Sequence, residues 1–319
     1  MKFLLAGEPV ESFHPHLDTG VALAKEILRR GHGLDYCNLV TTPYAIPSAQ
    51  YLSRLPVQQV LNVEFEKTPA FQMEPTRFVN AEDYQVILQR KDPPVDEVYR
   101  GHAKHFATLP ESIVQMNDPN MTTRFSEHLL PQRYPKYACP TFICRSYDEF
   151  AAKVKSADGE MVAKPMHLFS GIGIEFFSKN TDASVLKTYW KKYQPEVVVQ
   201  PYLNEVTTLG DVRILVINGR VIGAVRRLPK EGSRLANLHQ GATIAPATAT
   251  ARQLAACDVV SEDLSPRGLY LLGLDFIGDY LTEVNITCPS ALRQVNETAG
   301  VCGEEIVIDE LENLSHAAQ

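Results

Sequence analysis

The apolar positions of the chain fall into distinct textures. Residues 2 to 5 form a short apolar run, and Thr19 to Arg30 carries Val21, Leu23, Ala24, Ile27 and Leu28 at helical spacing before Gly31. Leu34 to Val40 then reads as a second apolar strand. Strand, helix, strand in this order predicts the start of a parallel α/β sheet, extended by Tyr84 to Gln89 and Ser112 to Met116. The stretch from Ser48 to Arg77 has weak periodicity and reads as loop with a hairpin. From Asn120 the runs become shorter and alternate: Thr141 to Cys144, Glu160 to Lys164, Gly173 to Phe177 and Glu196 to Gln200. Two longer hairpins follow, Arg213 to Leu228 turning at Asn218-Gly219 and Tyr270 to Ile286 turning at Gly278-Asp279, both with turn residues suited to tight β connections. Ala249 to Leu264 between them suits a helix. These textures divide the chain into domains at 1–119, 120–200 and 201–319.

Bulk properties narrow the function. The chain has 319 residues, 45% of them hydrophobic, which is too long for one ordinary core and ample for two or three. A formal charge of -7 argues against nucleic acid or an anionic membrane as the main partner, while leaving small anionic ligands open. The opening Met1-Lys-Phe-Leu-Leu-Ala-Gly reads as a first strand, not a signal peptide, and no apolar run is long enough for a transmembrane helix. The six cysteines, Cys37, Cys139, Cys144, Cys257, Cys288 and Cys302, show no Cys-x-x-Cys pair. They read as reduced thiols of a cytoplasmic protein, most of them buried fillers.

The densest chemistry lies in Gly273-Leu-Asp-Phe-Ile-Gly-Asp-Tyr-Leu-Thr-Glu-Val-Asn285. Side chains repeat every two residues along a strand, so Glu283 and Asn285 share a face, and Asp275 on the partner strand can complete a set of three oxygen ligands. Two carboxylates and an amide suit a hard divalent cation such as Mg2+, bound through a few carboxylates together with phosphates and water. The competing reading is of solvated carboxylates at a strand end.

Three further stretches bear on phosphate and carboxylate binding. Lys164 ends an apolar strand and leads into a loop with Gly171 and Gly173, a point charge followed by backbone N–H donors that can meet a polyphosphate; a sharp bend explains the glycines equally. Val197 to Glu205 passes from apolar strand to linker, where a flat adenine can be clamped between lobes, or the strand merely connects. Asp211 and Arg213 stand at one strand mouth with Arg226 and Arg227 on its partner, placing three arginines near one hairpin for bidentate contacts to carboxylate or phosphate.

In this order the motifs resemble those of bacterial glutathione synthetase, an ATP-grasp ligase, with some features closer to the ribosomal-protein glutamate ligases. Arg90-Lys-Asp-Pro-Pro-Val-Asp96, Gly210-Asp-Val-Arg-Ile-Leu-Val, Leu274-Asp-Phe-Ile-Gly-Asp and Leu281-Thr-Glu-Val-Asn-Ile-Thr-Cys-Pro289 match the synthetase, and Asn237-Leu-His-Gln-Gly241 is more like the glutamate ligases. The resemblance covers nearly the whole chain. It implies an α/β chain, α+β overall, with the ATP-grasp fold: an N-terminal parallel-sheet pre-ATP-grasp domain, a small central lid domain and a C-terminal antiparallel-sheet domain. It implies an ATP-dependent carboxylate-amine ligase working through an acyl phosphate, with γ-glutamylcysteine and glycine as the leading pair among small-molecule or peptide carboxylates and amines. The alternative is a non-catalytic nucleotide-binding relative. The implied cofactors are ATP and two Mg2+ ions, with Mn2+ as the alternative metal, held by Asp275, Glu283 and Asn285. Lys164, His128 and Asp211 would face the nucleotide phosphates, Gln200, Pro201, Tyr202 and Leu203 the adenine, and the loop from His167 to Gly173, with Ser170, Gly171 and Gly173, the γ-phosphate. Arg213 and Arg227 would hold the substrate carboxylate or the acyl phosphate, and Asp18 and Asn237 would contact the acceptor. The resemblance also suggests a homo-oligomer.

Three departures fall at expected contact points. His128 follows Ser126-Glu127 where the family has a Lys, His167-Leu-Phe-Ser-Gly171 replaces a run richer in glycine, and Leu235 stands where the family has an Arg, with Arg234 one place early.

Overall fold

The computed structural model describes residues 1–43, 54–166, 171–234, 236 and 241–318. Its strands form three sheets that follow one another along the chain.

The first sheet contains β1 (Lys2–Gly7), β2 (Gly33–Asn38), β3 (Arg54–Val63), β4 (Phe71–Met73), β5 (Arg77–Asn80), β6 (Val86–Arg90) and β7 (Val114–Met116). Strands β2, β1, β6 and β7 are parallel neighbours in that order. Helix α1 (Thr19–Arg29) crosses between β1 and β2, buries Val21, Leu23, Ala24 and Ile27, and starts at Asp18, whose carboxylate accepts the Val21 amide at 3.0 Å. Asp at this position satisfies an amide the first turn leaves unpaired. Helix α2 (Glu97–Phe106) makes the crossover to β7.

Here the structure differs from the reading of 48–77 as loop with a hairpin. The β3–β4 hairpin is present, but β3 is a ten-residue strand that continues the sheet by pairing antiparallel with β2. Its inward positions are Leu55, Val57, Val60 and Val63. Leu55 and Val57 pack in one core and Val60 and Val63 in another, and the pairing with β4 is irregular between Val60 and Asn62; a change of buried face together with an extra residue erases the alternation by which a strand is recognised. Residues 48–53 of that stretch lie outside the described residues.

After the short helix α3 (Pro119–Arg124) comes the second sheet, of β8 (Phe142–Cys144), β9 (Met161–Pro165), β10 (Glu175–Phe177) and β11 (Val197–Pro201), antiparallel in the order β10, β9, β11, β8. Helices α4 (Tyr147–Lys155) and α5 (Ala183–Tyr193) cover one face, packing Phe150, Leu186, Tyr189 and Trp190 onto Met161, Ala163, Val197 and Val199. Strand alternation therefore turns Val162, Lys164, Phe176 and Gln200 to the other face.

Beyond helix α6 (Glu205–Leu209), the third sheet has β12 (Asp211–Ile217), β13 (Arg220–Leu228), β14 (Thr243–Pro246), β15 (Leu271–Ile277) and β16 (Tyr280–Asn285), in the order β14, β13, β12, β15, β16. The even positions Val212, Ile214, Leu272, Leu274 and Phe276 pack with α7 (Ala251–Leu264). The odd positions Leu215, Ile217 and Leu271 pack with α8 (Leu292–Ala299) and α9 (Gly303–Ala317) in the core that also holds α1. At the far end of that odd face lie Arg213 and Asp275. Asn117 ties the first and third sheets together: its amide nitrogen donates to the carbonyls of Leu271 and Ile286 at 2.7 and 2.8 Å, and its oxygen accepts the Leu271 amide at 2.9 Å.

Candidate active site

The three sheets meet around a cavity of about 1250 Å³, larger than the span usual for a single drug-sized ligand and sufficient for a nucleotide with a second substrate. Its floor is the odd face of the third sheet. Asp275 pairs directly with Glu283 across β15 and β16, and Gly273 with Asn285 two residues along, so the three oxygen-bearing side chains converge; an unbroken register from the Ile277–Tyr280 pair would set Asp275 opposite Thr282, and a bulge there shifts Glu283 into place. The Asn285 amide nitrogen donates to the Gly273 carbonyl at 3.0 Å and to Asp275 Oδ2 at 3.2 Å. Thr282 is the extra residue of the bulge beside Asp275, and its hydroxyl donates to the Asp275 backbone carbonyl at 3.1 Å.

Asp275 already holds two cations. Arg213, its partner on β12, donates Nε to Oδ1 at 2.7 Å and Nη2 to Oδ2 at 2.6 Å, and Arg227 Nη2 lies 2.9 Å from Oδ2. Burial pushes the Asp275 carboxyl up, but the two guanidiniums outweigh it and hold the group well below the usual carboxylate range. Arg227 also donates to Asp211 Oδ2 at 2.7 Å; there burial wins, and the Asp211 carboxyl is pushed up to about 6. Arg226 points away: alternation puts it on the opposite face of β13, where it donates to the Leu209 carbonyl at 2.8 Å. Of Arg213, Arg226 and Arg227, the first and last thus line the cavity.

Glu283 faces His128, whose Nδ1 lies 2.7 Å from Oε1. Burial raises the Glu283 carboxyl, but the His128 contact outweighs it and the net shift is downward. His128 is held there by its neighbour Glu127, which accepts the amides of Ile286 and Thr287 at 2.7 and 2.9 Å and the Thr287 hydroxyl at 2.9 Å. Burial first, and the charge of Glu283 second, push the Glu127 carboxyl upward. Glu127 is a structural pin that the sequence reading passed over; its signal was an acidic residue directly before the contact position.

The opposite wall is the exposed face of the central sheet. Lys164 and Val162 alternate along β9, with Gln200 and Val198 opposite them on β11. Gln200 is buried and donates to the Thr141 hydroxyl at 2.7 Å. Pro201, Tyr202, Leu203 and Gly171 line the same cavity, as do Asp211 and His128. Two candidates fall elsewhere. Gly173 is not in the lining; its φ is +75°, and an added Cβ would come within 2.7 Å of Pro165 and 2.9 Å of Tyr193, so packing explains the glycine. Asp18 caps α1 and is likewise outside the lining. Ser170, Asn237, Leu235 and most of the 167–173 loop lie outside the described residues. Cys288 does line the cavity, but burial raises its thiol well above the ordinary range, which opposes a thiolate role.

A cation was tested against this donor set. Among the described residues no three His, Cys, Asp or Glu side chains form a closed metal cluster. Two carboxylates and an amide at the edge of a large open cavity instead match an ion that takes its remaining oxygens from phosphate and water. The residues fit Mg2+ in that shared mode.

Solved structures with the same architecture include D-cycloserine synthetase DcsG, at a TM-score of 0.65 and 13% identity over 98% of this chain and 99% of that one. ATP-grasp ligase PsnB, complexed with a phosphomimetic variant of minimal precursor, Mg and ADP, gives a TM-score of 0.58 at 14% identity, covering 99% of both chains. The fold is the ATP-grasp fold. Residues 1–122 match the family described as prokaryotic glutathione synthetase, N-terminal domain, and residues 127–300 that described as prokaryotic glutathione synthetase, ATP-grasp domain. The glutathione synthetase of Mesorhizobium japonicum is 30% identical over 288 residues, 89% of each chain. That of Gloeobacter violaceus is 29% identical over 327 residues, 97% of this chain and 96% of the other. The chain is therefore an ATP-grasp ligase, an enzyme that forms C–N bonds. It belongs to the prokaryotic glutathione synthetase family.

Proposed function

We propose that this enzyme uses ATP to convert a substrate carboxylate into an acyl phosphate and passes the acyl group to an amine, with γ-glutamylcysteine and glycine as the leading pair. The observation that carries the reading is the confrontation of Lys164, on the central sheet, with Asp275, Glu283 and Asn285 on the floor of the same cavity. A bare carboxylate is a poor electrophile, and phosphorylation gives it a leaving group. Positioning and charge neutralisation supply most of the catalysis in such a transfer.

In this scheme Asp275, Glu283 and Asn285 hold Mg2+, which when bound neutralises and aligns phosphate oxygens. Lys164 meets the phosphates from the other wall, and Gln200 to Leu203 line the base end. Arg213 and Arg227 serve the acid substrate. Arg213 forks Asp275 and Arg227 contacts it through Nη2, so both are held in place, charged and desolvated, ready for an acyl phosphate. The amine attacks the acyl carbon, phosphate leaves, and the amide forms.

The test is ADP release by the purified protein with Mg-ATP, γ-glutamylcysteine and glycine, each omitted in turn. Release that needs all three is expected. No release in the presence of demonstrated nucleotide binding would reject this acid and amine and turn the search to other pairs.

A further inference from the structure

The wall of the central sheet has two ends. Glu160, the residue directly before β9, stands four positions from Lys164, about 13 Å at strand rise. The Tyr202 amide donates to the Glu160 carbonyl at 2.8 Å, so Glu160 and Tyr202 sit side by side at the end opposite Lys164. Phe176 stands next to Val162 on β10. If Lys164 marks the phosphates, this opposite end receives the base.

Arg234 reaches that end from the connection between β13 and β14. It forks Glu160, with Nη1 donating to Oε1 at 2.9 Å and Nη2 to Oε2. The guanidinium carbon lies 3.9 Å from the centre of the Phe176 ring and 4.2 Å from that of Tyr202, and the two rings meet edge to face at 5.2 Å. A half-exposed ion pair alone is worth little. The two aromatic faces distinguish this one, because they fix the plane of the guanidinium as well as its charge. Phe176, Tyr202 and Arg234 all line the cavity. The same contact joins the sheet that carries Lys164 to a connection of the sheet that carries Asp275.

We propose that Arg234 is a positioning residue for the base end of the nucleotide: it braces Phe176 and Tyr202 into a rigid aromatic wall and ties the segment after β13 that carries it to Glu160. It thereby sets nucleotide retention and base selectivity without touching the transferred phosphate. The proposal rests on the nucleotide reading of the cavity.

The experiment compares binding of ADP, GDP and inorganic tripolyphosphate, each with Mg2+, to the parent protein and to Arg234→Ala, Arg234→Lys and Glu160→Gln by calorimetry. Arg234→Ala is expected to weaken ADP about tenfold, from the loss of a cation stacked on aromatic rings, to narrow the preference for ADP over GDP, and to leave tripolyphosphate unchanged. Glu160→Gln moves the same way, and Arg234→Lys recovers only part, since an ammonium lacks the planar face. Unchanged ADP binding in Arg234→Ala, or equal losses for ADP and tripolyphosphate, would overturn the proposal. Absence of ADP binding by the parent protein would instead bring down the nucleotide reading beneath it.

Discussion

Arg213 holds both carboxylate oxygens of Asp275, at 2.7 and 2.6 Å, from the directly opposed position on the neighbouring strand. The fork is buried: Arg213 is 7% exposed and Asp275 2%. In the proposed scheme one carboxylate thus has two tasks, anchoring the arginines and serving as a metal ligand.

The first consequence concerns stability. Asp275→Ala leaves the buried guanidiniums of Arg213 and Arg227 without their shared counter-ion, and breaking a buried pair from one side costs about 3–5 kcal/mol. Asp275→Asn keeps an acceptor for one arm of the fork and loses less. Urea denaturation of both variants measures the difference; an Asp275→Ala protein as stable as its parent would show that the fork has no structural weight. Loss of ADP formation in Asp275→Asn, with the fold intact by circular dichroism, is the functional counterpart.

His128 stands behind Glu283, and partners of a metal-ligating group typically contribute about 10–100-fold to metal affinity. His128→Ala is expected to weaken the Mg2+ dependence of ADP binding by that amount. His128→Lys puts a permanent cation beside Glu283 and is expected to equal or exceed the parent. Mg2+ titrations of ADP binding decide between them; equal affinity in all three proteins would remove His128 from the site.

Asp211 gives a pH signature of unusual sign. Burial raises its carboxyl from 3.8 to about 6 in the folded protein, so between these values the folded state binds more protons than the unfolded one. Its contribution to stability is complete below the unfolded value and is lost as pH rises through the folded one. Asp275, held low, behaves oppositely, contributing above its unfolded value and losing it in acid. Asp211→Asn removes the first titration alone. Urea midpoints at about pH 4 and pH 7 should therefore move in favour of the variant, relative to the parent, as pH rises; a constant difference would place the Asp211 carboxyl at its ordinary value.

Gly173 separates packing from chemistry. At φ +75°, with Pro165 and Tyr193 inside the space a Cβ needs, Gly173→Ala is expected to lower stability by about 1–3 kcal/mol. ADP affinity measured well below the melting temperature should stay at the parent level, because the residue is outside the cavity. A selective loss of affinity without destabilisation would return Gly173 to the phosphate loop.

Local pattern accounts for much of this molecule. A bulge at Thr282 sets Asp275 opposite Glu283, but strand alternation alone places Glu283 and Asn285 on one face, carries Lys164 to the cavity side of β9 and turns Arg226 to the outside of β13. These last placements follow from the period of a strand, which a few neighbouring residues contain in full. Partner choice does not. Nothing near Asp275 in the chain announces that Arg213 and Arg227 will share its carboxylate, that Glu127 will pin residues 286 and 287, or that Arg234 will lie across Phe176 and Tyr202. Those pairs join residues tens to more than a hundred positions apart, and their strength comes from desolvation, which exists only once the sheets close around them. Strand periodicity and oxygen chemistry were properties of the sequence; the shared counter-ion, the shifted acids and the braced aromatic wall were decided by burial in the assembled fold.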